Sequence, residues 1–334
     1  MQILSYFFTW MVFVKMGVAI AAVLLLSFFA EAVSPRFAGI LCGYPLGAAI
    51  TLFFVGYDIN PGFASESALY TAIGLIATQA SAYGYYRFSL LSKDRGRVSR
   101  VVISTIGGLA GFFPAAVLLS LVRVNPLTAA LLPAASILLF IFLFRGVENV
   151  RIERRSATGM RALLVRAVFA ATVVFAATSS AKAVGPAWAG LFAAFPMTML
   201  PSAMIIHFTY DSEHAHAFLK NVPRGLGSVI IYSLALWVFY PEYGVFAGTI
   251  ICYAFATAYL VILSFGAGRR IISLGARYGS LPYEKSLSIE VSEASAGLPQ
   301  SPCTTEGRVW GDRTTPETRI CGDQSTHTGG FHPK

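Results

Sequence analysis

Long apolar stretches separated by short polar breaks run from the start of the chain to about residue 267. A helix needs about 20 apolar residues to cross a bilayer core. Nine segments meet that requirement: 8–30, 37–57, 66–87, 101–122, 127–145, 162–182, 187–207, 225–241 and 244–266. The pattern predicts an all-α polytopic membrane protein of about nine transmembrane helices. The first segment reads as a span rather than a cleaved leader, because its leading ten residues carry no Lys or Arg and a second span follows at once. Residues 276–334 lose the apolar periodicity and are dominated by Ser, Thr, Gly, Pro and charge, so they read as a disordered cytoplasmic tail.

Composition sharpens this picture. Hydrophobic residues make up 56% of the 334 positions and charged residues only 12%, where a soluble domain carries about 25% charged. A soluble enzyme, a fibrous protein and a disordered chain are thereby excluded. The net charge of +9 sits in loops, where cations set orientation, so it does not indicate a nucleic-acid partner. Arg87, Lys93, Arg95, Arg97 and Arg100 follow span three, and Arg145, Arg151, Arg154, Arg155 and Arg161 follow span five. Both loops are expected in the cytoplasm, which puts the N-terminus outside and the C-terminus inside. Lys220, Arg224, Arg269 and Arg270 then fall on the same side, and only Arg123 and Lys182 fall opposite. Cys42 and Cys252 lie in spans and Cys303 and Cys321 in the tail, so no disulfide framework is expected.

The chain repeats itself. At an offset of 151, residues 14–45 match 165–196 at ten of 32 positions, among them Pro35/Pro186, Ala38/Ala189, Gly39/Gly190 and Pro45/Pro196. After a two-residue insertion the match continues through Tyr57-Asp58 and Tyr210-Asp211. Four-helix units at 1–125 and 161–270 are therefore expected, joined by a helix and basic loop at 126–160 and followed by the tail at 271–334. The odd number of spans between equivalent helices inverts one unit relative to the other, a plan that recurs in secondary transporters.

The stretch Ala189-Gly190-Leu191, Phe195-Pro196 and Ile206-His207, with the acidic connection Tyr210-Asp211-Ser212-Glu213, resembles the GlpM family of small four-span bacterial inner-membrane proteins. Ala38-Gly39-Ile40 and Tyr44-Pro45 resemble it less closely. The resemblance implies a multi-pass protein of the bacterial inner membrane, linked to envelope polysaccharide production, with envelope-biosynthesis proteins as partners.

Interrupted spans at matching positions of two halves are the best pointer to a transporter site. Gly43, Tyr44, Pro45 and Gly47 interrupt span two; Phe195, Pro196, Thr198 and Ser202 accompany the break in span seven. Proline removes a backbone donor, and freed carbonyls beside hydroxyls suit a polar ligand, whereas a kink that merely improves packing is the plainer account. Lys15 and Arg166 are matched charges within spans one and six, suited to charge coupling or to snorkelling towards a membrane face. His207 and Asp211 form an i, i+4 pair suited to proton coupling if the helix continues, with Glu213, His214 and His216 beyond. Gln79, Ser81, Tyr83, Tyr232 and Ser233 suit a polar path or interhelical hydrogen bonds, and Gly107, Gly108, Gly111 and Pro114 suit close packing. No nucleotide, metalloenzyme or nucleophile motif occurs, so no enzyme, metal or cofactor is expected. Cys303, Cys321, His327 and His332 lack the close cysteine pair of a zinc site. The expectation is a permease or flippase-like carrier of a small or envelope-related substrate in the lipid bilayer. Its competitor is a non-transporting scaffold or accessory subunit for envelope polysaccharide assembly.

Overall fold

The structure, a computed structural model, describes residues 10, 13–21, 44–148 and 160–278, without the side chains of 160–163, 165–166 and 263–278. Every regular element among the described residues is a helix. We number them α1 (13–21), α2 (Leu46–Asp58), α3 (Pro61–Leu91), α4 (Arg97–Ser120), α5 (Pro126–Leu143), α6 (Met160–Ala193), α7 (Met199–Thr209), α8 (Ser212–Gly225) and α9 (Gly227–Tyr278). The chain divides into two units, 1–273 and 274–334. Of the second unit only the end of α9 is described, so the tail and its Cys303, Cys321, His327 and His332 lie outside the described residues.

Four stretches among the described residues are long and apolar enough to cross a membrane: Arg97–Ser120, Pro126–Leu143, Ala167–Ala193 and Ser212–Ile262. Their outward faces are apolar as well. Leu118 is 67% exposed, Leu138 70% and Ile250 73%, a distribution that water penalises and hydrocarbon accepts. These features identify a membrane protein.

Local chemistry explains where helices start. Pro61 supplies the fixed φ of a first turn and the Asn60 side chain accepts from the Phe63 N–H at 2.8 Å. Asn125 and Thr128 exchange side chain to backbone bonds at 2.9 and 3.0 Å in a capping box at the start of α5. Two glycines act as joints inside what is otherwise continuous helix. Gly185, with φ 81°, turns α6 before Pro186, and Gly244, with φ 72°, turns α9. Both conformations lie in the left-handed region that glycine adopts without a Cβ penalty.

The longest buried surface belongs to α3, which packs against α2, α4, α5 and α6. Small residues let it do so. A Cβ on Gly111 would overlap the Ala80 carbonyl, and one on Gly190 would overlap the Ser67 carbonyl. Such close approach is how membrane helices replace the missing hydrophobic drive. Hydroxyls then reach across: Ser65 donates to the Trp237 carbonyl at 2.8 Å, and Gln79 donates to Ser136 at 2.7 Å.

Boundaries differ from the sequence reading in four places, one being the eighth and ninth segments, which meet at the Gly244 joint inside α9 rather than across a loop. The separation between the sixth and seventh segments is a single joint at Gly185-Pro186 rather than a loop. The seventh segment is itself interrupted at 194–198. The polar stretch after residue 211 is helical, because Ala215, Leu219 and Val222 form one buried stripe on α8.

Candidate functional site

The stretches that carry the two prolines touch through Gly47 and Met197. Pro45 is buried and immediately precedes α2, whose N–H groups begin with Leu46; Pro196 is buried three residues before α7. Gly47 of α2 touches Met197 of the second break, a Cβ at Gly47 lying 2.7 Å from the Met197 sulfur. Ala48, Ala194 and Met199 share one apolar cluster, while Ile50, Phe54 and Met197 share another.

Tyr44 and Phe195, aligned in the sequence repeat, each pack on a long helix. Tyr44 donates to or accepts from Thr257 Oγ1 at 3.0 Å and its ring stacks on Tyr253 at 5.7 Å, both on α9. Phe195, its counterpart by sequence, packs edge-on to Phe112 at 4.9 Å and against Phe113, both on α4. Tyr44 thus leans on α9 and Phe195 on α4. Gly43 lies outside the described residues.

Hydroxyls bond the backbone carbonyls around both breaks. Thr71 Oγ1 donates to the Gly190 carbonyl at 3.0 Å and Thr78 Oγ1 to the Ala194 carbonyl at 2.5 Å. Ser202 Oγ donates to Thr198 O at 2.6 Å, and Thr51 Oγ1 to Gly47 O at 3.0 Å. Ser202 therefore bonds the backbone of its own break, through the Thr198 carbonyl. Beside the break, Phe113, Val173, Ala177, Phe192 and Phe195 line an apolar cleft of about 200 Å³.

The charged candidates separate into two places. Lys15 is 7% exposed, pairs with Asp58, and lies over the Phe54 ring at 5.7 Å from its centroid. Burial and a carboxylate partner replace the snorkelling account for Lys15. The Arg166 side chain lies outside the described residues. Asp58 was not singled out by sequence, although its match to Asp211 in the repeat was a usable signal.

His207 and Asp211 do not form the i, i+4 pair, because α7 ends at Thr209 and Asp211 caps the next helix. Asp211 Oδ1 accepts from the His214 N–H at 3.0 Å and meets His214 Nδ1 at 2.7 Å. Partial burial works to raise the Asp211 pKa, yet these hydrogen bonds and the His214 charge outweigh it and hold the carboxyl below its usual value. His207 is 1% exposed and its Nδ1 meets the Tyr85 hydroxyl at 3.1 Å. One turn along α3, Ser89 Oγ meets His216 Nε2 at 3.0 Å, and the His216 ring stands edge-on to Tyr86 at 4.8 Å. Two histidine and hydroxyl pairs thus join α3 to α7 and α8. No group of three His, Cys, Asp or Glu residues suited to a metal exists among the described residues.

Of the remaining polar candidates, Gln79 forms the interhelical bond to Ser136, and Tyr83 packs on Phe140 and Phe144. Ser81 Oγ and Ser233 Oγ are buried without a hydrogen-bond partner. Comparison of the chain with protein-family models, with curated proteins and with solved structures finds no match.

Proposed function

We propose that the protein is a carrier, a permease or flippase-like protein, made of two inverted four-helix units joined by α5, in about nine spans of a bacterial inner membrane. Its N-terminus is outside and its C-terminus cytoplasmic, the second unit is related to the GlpM family, and the substrate is a small or envelope-related molecule. The observation that carries this reading is the meeting of the two matched breaks at Gly47 and Met197. In an inverted repeat, equivalent residues near the middle of their spans come to one depth, where a site can open to either side in turn. The exchanged packing of Tyr44 on α9 and Phe195 on α4 supports the same two-fold relation.

A second reading, a non-transporting scaffold for envelope assembly, is favoured by the hydroxyls that already occupy the carbonyls of Gly190, Ala194 and Thr198. A seam satisfied from within needs no ligand. One experiment separates the two. In a chain with its cysteines replaced by alanine, Thr198→Cys and Ser202→Cys are treated with a membrane-impermeant maleimide in right-side-out and in inverted vesicles. Labelling from both faces is the expected result for the carrier, while a residue reached from neither face in a folded protein leaves the scaffold.

A further inference from the structure

The end of the bundle where α3, α4 and α7 meet holds a polar group with nothing to bond. His207 is 1% exposed, Tyr85 takes its Nδ1, and its Nε2 is buried with no hydrogen-bond partner. In the tautomer in which the Tyr85 hydroxyl donates to Nδ1, the ring proton resides on Nε2, which is then a buried donor lacking an acceptor. An unmet buried donor of this kind costs about 1–3 kcal/mol.

What surrounds that donor is positive. Gly108 of α4 lies by Leu200 of α7, and Arg97 Nη1 donates to the Phe208 carbonyl at 3.3 Å, so the two helices run antiparallel and the first turn of α4, with Arg97 and Arg100, lies at the C-terminal end of α7 that carries His207. The charges of Arg100 and Arg97 both act on the His207 ring, against that of Asp211. Asp211 is committed to His214, and neither arginine pairs with a carboxylate among the described residues. Arg100 is half-buried and donates from Nε to the Arg95 carbonyl at 3.3 Å, which leaves its terminal nitrogens. The first turn of α4 adds to this, since its cap is Gly96 and no side chain caps its free N–H groups.

We propose that this corner binds a phosphate group, held by the Arg97 and Arg100 guanidiniums at the open end and by the His207 imidazole N–H at the buried end. Guanidinium forks and a helix N-terminus match a tetrahedral anion with several oxygens better than a single point charge does. Two sources offer such a group: the headgroup of an anionic phospholipid and a soluble phosphate ester. The site is separate from the paired breaks and stands whether or not the protein transports.

The test uses the full chain purified in detergent. Inorganic phosphate is titrated against melting temperature with chloride as control, and retention of phosphatidylglycerol over phosphatidylcholine is read by native mass spectrometry. Arg97→Gln with Arg100→Gln, both at accessible positions, is expected to weaken binding of the preferred ligand about tenfold or more. His207→Gln is expected to weaken it as well, and if that variant does not fold, the arginine variant decides alone. Saturable stabilisation by phosphate that the variant loses identifies a soluble ligand; selective retention of phosphatidylglycerol that the variant loses identifies the headgroup. Absence of both, or binding undiminished in the arginine variant, overturns the proposal.

Discussion

Gly47, in the first turn of α2, touches Met197, in the break ahead of α7, and a Cβ added to Gly47 would stand 2.7 Å from the methionine sulfur and 2.9 Å from its Cγ. The atoms in the way belong to a flexible side chain, so Gly47→Ala is expected to be tolerated. Gly47→Leu should cost about 1–3 kcal/mol by overpacking. Met197→Ala in the same chain should recover most of that loss. Melting temperatures of the four detergent-solubilised proteins check this, and a loss in Gly47→Leu that Met197→Ala does not relieve would mean that the two breaks do not touch.

The break at Pro196 was legible because proline acts locally and interrupts its helix by losing a donor, whatever surrounds it; Pro45 stands at the start of α2, and the residues ahead of 44 lie outside the described ones. The partners were not. Tyr85 and His207 are 122 residues apart, and no periodicity connects them. Lys15 and Asp58 come from different spans, and only the repeat hinted that Asp58 mattered. Helix α8 was hidden by its charge: Glu213, Lys220 and Arg224 suggested a solvated connection, while the stripe Ala215, Leu219, Val222 carried the 3.6-residue period. The joint at Gly185 was missed for a further reason, since one residue in the left-handed region turns the chain without any polar loop.

The ion pair of Lys15 with Asp58 gives a second expectation. Removing one partner leaves a charge on Lys15, which is 7% exposed. Asp58→Asn should therefore destabilise by about 1–3 kcal/mol, less than for a fully buried pair because the Asp58 side chain is 25% exposed. Lys15→Met with Asp58→Leu should return most of the stability, since an apolar pair incurs no desolvation penalty. Equal losses in the single and double variants, measured by thermal unfolding in detergent, would contradict the pairing.

Thr78 tests whether the interrupted helix is held by the hydroxyl that caps its carbonyl. Thr78→Val keeps the volume but withdraws the donor from Ala194 O, now met at 2.5 Å. Interhelical hydrogen bonds in membranes average about 0.6 kcal/mol and reach about 1.7. A loss in that range is expected for Val and close to none for Ser, which retains the hydroxyl. If Val and Ser behave alike, the carbonyl is satisfied in some other way.

Orientation is open to a direct test. Reporter fusions after Arg155 are expected to report the cytoplasm and fusions after residue 62 the outside, because the proposed orientation puts both five-cation stretches on the cytoplasmic face. A signal from outside at Arg155 would remove the proposed orientation and the inverted relation of the two units together.

The prolines distinguish a working break from a packing kink. In the second break the Phe192 carbonyl, which a continuous helix would offer to residue 196, is taken at 3.1 Å by the Phe195 N–H. Pro196→Ala supplies the missing N–H and so favours a continuous helix, but Phe195 on Phe112 and Thr78 on Ala194 oppose that change. The variant should therefore still insert and fold, with a stability change of about 1 kcal/mol, set by the small worth of one hydrogen bond. In a carrier the break must also rearrange as the site turns from one face to the other, so Pro196→Ala, and by symmetry Pro45→Ala, should lose the two-sided labelling of Ser202→Cys while remaining folded. If labelling instead falls only in step with the amount of folded protein, the prolines serve packing alone.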